Sequence, residues 1–251
     1  PQPPSAMPTT NYLQQKEDLT AALRWAARLG LSEGVCNHFS LEVAPDRYLI
    51  NPQGLSWEEV CVKDMLLING QGSIIEGRHG LEPSAFFIHS WIHRLNPQAK
   101  AILHTHMPYA TALTLVQGGR LLWSHQNALR FWGQVGYDEV YGGLALDAAE
   151  GERIARAMMG NRVMFMASHG VTVTGATMAW ALDDLYYLER ACMHQCLATQ
   201  WAGGRPLRII SDADCQAVSA QIEGERAQSD HYFAAIKRLL DQDQPQWRAL
   251  D

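Results

Sequence analysis

The 251-residue chain lacks an excess of positive charge: 20 lysines and arginines stand against 26 aspartates and glutamates, for a net charge of −6. That balance leaves no basic footprint for nucleic acid, so none is expected as a partner. No apolar run approaches the roughly 18 residues that a membrane helix needs, so no membrane partner is expected either. No basic stretch followed by an apolar one marks a secretory leader near the start. Cysteines number only five, at positions 36, 61, 192, 196 and 215. Their count is odd, their spacing is scattered, and none forms Cys-x-x-Cys, so reduced thiols in a cytoplasmic protein are expected. Neither Gly-x-Gly-x-x-Gly nor Gly-x-x-x-x-Gly-Lys occurs, which removes two common nucleotide-phosphate loops.

What is present reads as one globular unit. The chain is 47% hydrophobic and 18% charged, enough for a substantial core at this length. The proline-rich residues 1–11 read as a flexible arm, and residues 12–251 as a single domain with a helical C-terminal segment. Leu13, Leu19, Leu23, Ala26 and Ala27 recur at helical spacing until Gly30. His38 to Val43 and Tyr48 to Ile50 read as strands around a Pro45-Asp46 turn. Ser56-Trp57-Glu58-Glu59 carries the capping-box pattern and predicts a short helix. Asn69-Gly70-Gln71-Gly72 predicts a hairpin. Pro83 to Leu95 predicts a helix with proline in its first turn, and Asp147 with Glu150 opens another that Gly160 closes. The longest helical segment, Ala176 to Trp201, holds the acidic pair Asp183-Asp184. Hairpins come early and helices separate the later strands. The expected fold is α/β, a mixed, mainly antiparallel sheet covered by helices.

One short motif carries chemistry. His104-Thr105-His106 follows the apolar run Ala101-Ile102-Leu103, which reads as a buried strand. Side chains two apart on a strand share a face, so the two imidazoles point the same way. A second apolar run, Val163 to Ala167, ends in Ser168-His169-Gly170. If the two strands lie near one another, three imidazoles converge and leave coordination positions open, as a catalytic metal requires. Spacing alone leaves the alternative of hydrogen-bonded core histidines open. His38, His79, His93, His194 and His231 have no partner that the sequence identifies.

Several motifs in order resemble one family. Asn37-His38-Phe39-Ser40, Asn51-Pro52-Gln53-Gly54, the stretch Glu82 to His89, His104-Thr105-His106 and Ser168-His169-Gly170 are similar to the class II aldolase/adducin family over roughly residues 12–200. The resemblance implies a three-layer α/β/α fold and a divalent ion on three histidines, here His104, His106 and His169. It implies zinc first, with iron, manganese or cobalt as alternatives. It also implies a homotetramer with sites near subunit interfaces, and substrate contacts from Asn37, Gln53 and Gly54. The family's ion stabilises an enolate, which serves aldol cleavage, decarboxylation and epimerisation alike.

The chain departs from the aldolase pattern in one place. Aldolases of the family carry Pro-Ser-Ser-Glu ahead of a helix, the serines binding phosphate and the glutamate moving a proton. Counting back from His104, the glutamate position is Ala85 and the serine positions are Pro83 and Ser84. Pro-Ser-Ala-Phe-Phe-Ile-His-Ser at 83–90 resembles instead the adducin-like branch, which holds non-catalytic vertebrate heads and bacterial enzymes of aromatic acids. The expected function is therefore a metal-dependent carbon–carbon lyase, an aldolase or decarboxylase, for a small non-phosphorylated oxo or hydroxy acid, aromatic acids included. A non-heme iron oxygenase and a non-catalytic adducin-like module are the alternatives. Glu82 is the candidate proton-transfer residue, against a plain helix cap. His125 is a second candidate, near where family aldolases lend a tyrosine to a neighbouring subunit. Ser84 remains as a substrate contact.

Overall fold

The computed structural model describes residues 12–250, so the arm expected at 1–11 lies outside the described residues. Among the described residues, eight strands form one sheet. They are β1 (His38–Ala44), β2 (Arg47–Ile50), β3 (Leu66–Asn69), β4 (Ile74–Glu76), β5 (Ala101–Thr105), β6 (Val135–Asp138), β7 (Val163–Met166) and β8 (Gly170–Gly175). Their order is β4-β3-β2-β1-β5-β8-β7-β6. Every pairing is antiparallel except β6 with β7, which is parallel.

Eight helices accompany the sheet among the described residues: α1 (Leu13–Arg28), α2 (Pro83–Leu95), α3 (Pro108–Thr114), α4 (Gln126–Leu129), α5 (Ala148–Met158), α6 (Met178–Ala202), α7 (Asp212–Gly224) and α8 (Ala227–Asp243). Strand alternation divides the apolar side chains between two layers. Ala101, Leu103, Val163, Phe165, Val171 and Val173 join the larger core with α1, α6 and α8. Ile102, Met164 and Met166 point the other way, onto Ile88 and Ile92 of α2 and Ile154 and Met158 of α5. The three-layer α/β/α architecture follows from that division.

Local signals set several boundaries. Pro83 opens α2 behind Glu82, whose side chain accepts the Ala85 N–H, and Asp147 accepts the Glu150 N–H at the start of α5. Gly30 takes a left-handed φ of 73° just past α1, where a β-carbon would be strained. The acidic pair on α6 is buried and paired. Asp184 takes a bidentate contact from Arg226 at 2.8 and 3.0 Å, and Arg130 bridges Asp183 and Asp184 at 2.8 Å. Ser229 donates to Asp183 at 2.6 Å, so the cluster pins α4 and α8 to α6.

Two expectations need correction. Ser56 to Glu59 forms a turn, not a helix. The capping contacts are made, Ser56 N–H to Glu59 at 2.8 Å and Glu58 N–H to Ser56 Oγ at 3.3 Å. The chain then leaves the helical path, with Trp57 fully buried against Phe39. The strand β6 was not anticipated. It carries a glycine, and its strand character rests on the parallel ladder with β7.

Candidate metal centre

β5 lies between β1 and β8, so His104 is flanked on both sides, by His38 and by Thr172. His104 shares the face of Ile102, and His106 continues that face just beyond the strand end. His169 arrives from the turn between β7 and β8, where Ser168 adopts a left-handed φ of 55°. The antiparallel ladder between β5 and β8 brings that turn over the end of β5. One nitrogen from each of His104, His106 and His169 lies within 4.8 Å of the others. The ring centroids are 4.8 to 5.1 Å apart, edge to face.

The nitrogen inventory fits a cation. His104 Nδ1 donates to the Val171 carbonyl at 3.0 Å, which leaves Nε2 as the nitrogen available to a cation. His106 Nδ1 meets the Glu33 carboxylate, and its Nε2 is buried with no hydrogen-bond partner. A buried nitrogen without a partner is costly unless something off the chain satisfies it. Burial, then the neighbouring imidazoles, holds His104 well below its ordinary pKa. Burial and His106 hold His169 down at about 4. Neutral imidazole is the form that binds metal.

Two residues support the cluster in ways that were not legible in the sequence. Glu33 sits 73 residues from His106, so no local pattern links them. A carboxylate on the far nitrogen of a ligating histidine fixes its tautomer and raises its basicity. Replacing Glu33 with glutamine is expected to weaken metal affinity about 10- to 100-fold, measured by competition with a chelator. An unaltered affinity would mark the contact as incidental. Gly170 is the other. A β-carbon there would stand 2.6 Å from the Thr105 carbonyl oxygen and 2.7 Å from His106 Cδ2, so only glycine lets the β8 backbone approach the His106 ring.

The three histidines open on a cavity of about 670 Å³, and Asn37, Gln53, Gly54, Glu82 and Ser84 line it as well. Asn37, at a left-handed φ of 72°, accepts the His106 N–H through its side chain at 3.2 Å. Glu82 Oε2 accepts from the Ala85 N–H at 2.7 Å and from the Ser84 hydroxyl at 2.6 Å. Glu82 is thus the N-cap of α2 and part of the cavity wall. Ala85 faces away, into an apolar cluster with Ile50, Leu66 and Ile68. Among the described residues no lysine or arginine lines the cavity, Arg78 included, while Val35 and Leu144 present apolar surface at its mouth.

His125 lies elsewhere in this chain. It caps α4 by accepting the Asn127 N–H at 3.1 Å, and its ring meets His194 at 4.5 Å. The cleft beside it, about 530 Å³, includes Trp201, Arg205 and Arg208 and none of the three clustered histidines.

Several of the histidines to which the sequence assigns no partner find one in the fold. His79 faces Asp64 at 3.3 Å. His38 and His93 belong to a buried network. His38 Nδ1 contacts His89 Nε2 at 2.7 Å, His89 Nδ1 contacts Ser40 Oγ at 2.6 Å, and Ser40 Oγ contacts His93 Nε2 at 2.8 Å. His93 Nδ1 ends the line at the Ala99 carbonyl, 2.8 Å away. Burial pushes His38 and His93 down to about 3, and His89 well below its ordinary range. A signal for this network exists in the sequence. His38 and Ser40 alternate onto one strand face, and His89 and His93 stand one helical turn apart.

The chain is similar to known proteins in sequence and in fold. The family model for the Class II Aldolase and Adducin N-terminal domain matches residues 17–196. An aldolase II superfamily protein from Pseudomonas syringae has a crystal structure similar to this chain, with a TM-score of 0.87 and 29% identity over 98% of each chain. The L-fuculose 1-phosphate aldolase from Glaciozyma antarctica PI12 gives a TM-score of 0.82 at 26% identity, over 99% of this chain and 97% of its own. Decarboxylase NovR of Streptomyces niveus is 30% identical over 196 residues, 76% of this chain and 71% of its own. By the extent of the family match and by its fold, the chain belongs to the class II aldolase and adducin N-terminal domain family.

Proposed function

We propose that this protein is a metal-dependent carbon–carbon lyase for a small, non-phosphorylated hydroxy or oxo acid, aromatic acids included. The observation that carries the reading is a cluster of three imidazoles opening on a cavity whose wall holds no lysine or arginine. A divalent ion on His104, His106 and His169, zinc in the first instance, supplies a Lewis acid for negative charge on a substrate oxygen.

The chain's own residues do the rest. Asn37 and Gln53 offer side-chain amides to orient polar groups of the substrate, and Gly54 leaves open space beside them. Val35 and Leu144 give an apolar rim that suits an aromatic or alkyl portion. Both cap contacts of Glu82 fall on Oε2, which leaves Oε1 for holding or moving a proton in the cavity. A phosphate dianion would call for cationic partners, and the wall provides none. In a homotetramer, His125 of one subunit would serve a neighbour's cavity.

The test is turnover of the metal-loaded protein on a panel of aliphatic and aromatic 4-hydroxy-2-oxo acids and 2-hydroxy-3-oxo acids, in which the carbon left by the broken bond lies next to a carbonyl, with a sugar phosphate as control. Release of carbon dioxide or an aldehyde from an unphosphorylated acid is the expected result. Substrate-dependent oxygen uptake would replace the lyase with an iron oxygenase. A metal-free protein inert to the whole panel would fit an adducin-like module.

A further inference from the structure

A buried line of side chains leads from α2 to the metal cavity, and its hydrogens can run only one way. The Ala99 carbonyl offers lone pairs alone, so His93 Nδ1 donates to it at 2.8 Å. His93 is enclosed, with no carboxylate among its contacts, and stays neutral, so its Nε2 is bare. The Ser40 hydroxyl therefore donates to that nitrogen at 2.8 Å. Ser40 has one hydrogen, so its oxygen accepts from His89 Nδ1 at 2.6 Å. The bare Nε2 of His89 then accepts from His38 Nδ1 at 2.7 Å. His38 is left with an unprotonated Nε2.

That nitrogen has no donor among the described residues, and its ring lines the cavity stacked on His104, with centroids 4.9 Å apart and planes at 26°. It is not one of the three nitrogens gathered within 4.8 Å. A lone pair thus stands beside the candidate metal centre, its tautomer fixed from behind by three hydrogen-bonded side chains.

We propose that His38 Nε2 is the hydrogen-bond acceptor for a substrate hydroxyl, and that it makes the site prefer 2-hydroxy acids to the matching 2-oxo acids. This rests on the lyase reading above. A 2-hydroxy acid brings an O–H beside its carboxylate. The oxo acid brings only lone pairs to the same place, and a site built to bond a hydroxyl rejects the analogue without one. His38 cannot become a donor at Nε2 while Ser40 and His93 hold the line in this direction.

The experiment uses the full chain loaded with zinc, with mandelate and phenylglyoxylate as probes in calorimetric titrations. Nitrogen-15 spectra of histidine-labelled protein are recorded alongside. The wild type is expected to bind mandelate at least about 10-fold more tightly and to show a single Nδ1–H form for His38. His38→Leu is expected to bring the ratio near one with zinc content unchanged. His38→Gln, whose amide oxygen still accepts, keeps part of the preference. Ser40→Ala leaves His38 in place but releases its tautomer, so the single form is lost and the ratio falls. If His38→Leu fails to fold, the glutamine and Ser40 variants carry the test. An unchanged ratio in these variants, or mixed tautomers in the wild type, overturns the proposal. So does loss of zinc on His38→Gln, which would make His38 a ligand. Equal binding of both acids removes the His38 assignment alone, whereas a wild type that holds no zinc or binds neither acid removes the lyase reading with it.

Discussion

Replacing His104 and His106 together with alanine is expected to abolish binding of a divalent ion and to lower turnover at least about 1000-fold. Each histidine presents one nitrogen to the site while its other is engaged, by the Val171 carbonyl or by Glu33. The double variant leaves His169 as the single ligand of the cluster, too few to retain an ion against solvent. A Lewis acid that offsets developing charge contributes several kcal/mol, and about 4 kcal/mol corresponds to that fall in rate. Elemental analysis of purified protein should find near-stoichiometric metal in the wild type and almost none in the variant. Circular dichroism should confirm that the sheet persists, because the two rings come from the end of β5 and not from its apolar centre. Chelation of the wild type should reproduce the loss, and added metal should reverse it. Full metal content in the variant would move the ion elsewhere and end the reading of this site.

Acid should unfold the metal-free protein well before its carboxylates titrate. His38 and His93 are enclosed and held down at about 3, by burial first, whereas a histidine in the unfolded chain titrates near 6.5. Between those values the unfolded chain binds protons that the folded chain refuses, so stability falls as pH falls. The contribution is complete above about pH 6.5 and is lost progressively on the way down to about 3. At pH 5 each of the two costs about 2 kcal/mol. His89 and His104, also buried and also held down, add in the same direction. Set against a typical total of about 5–15 kcal/mol, this is a large fraction. Urea unfolding from pH 8 to pH 5 should therefore show a plateau and then a steep decline below pH 6.5. His93→Leu should shallow that slope even though it weakens the fold at neutral pH. A level profile from pH 7 to pH 5 would count against enclosed neutral imidazoles.

Much of this molecule is local in origin, and that part is legible from residues alone. His104 and His106 share a face because a strand repeats every two residues, and this holds whatever surrounds them. Pro83 behind Glu82 and Asp147 ahead of Glu150 mark helix starts because the groups that satisfy the first N–H donors are neighbours in the chain. The order of motifs from Asn37 to Gly170 was enough to place the family and its layered fold. At Ser56 the same local logic misled. The capping contacts formed, but burial of Trp57 against Phe39 turned the chain aside before a helix could follow.

Other features needed the fold. β6 is a strand because β7 lies parallel beside it, and no pattern within four residues encodes a partner. Glu33 reaches His106 across 73 residues, and Ser40 joins His89 and His93 across 49 and 53. His125, read as a candidate for the site, stands in a separate cleft of the same chain. The sequence by itself determined which side chains could ligate a metal and which face of each element they occupy, because both depend on residue type and backbone period. Only the tertiary structure decided which nitrogens are engaged, which are left bare and which cavity they share, because a hydrogen bond or a pocket wall exists only between atoms that packing has brought together.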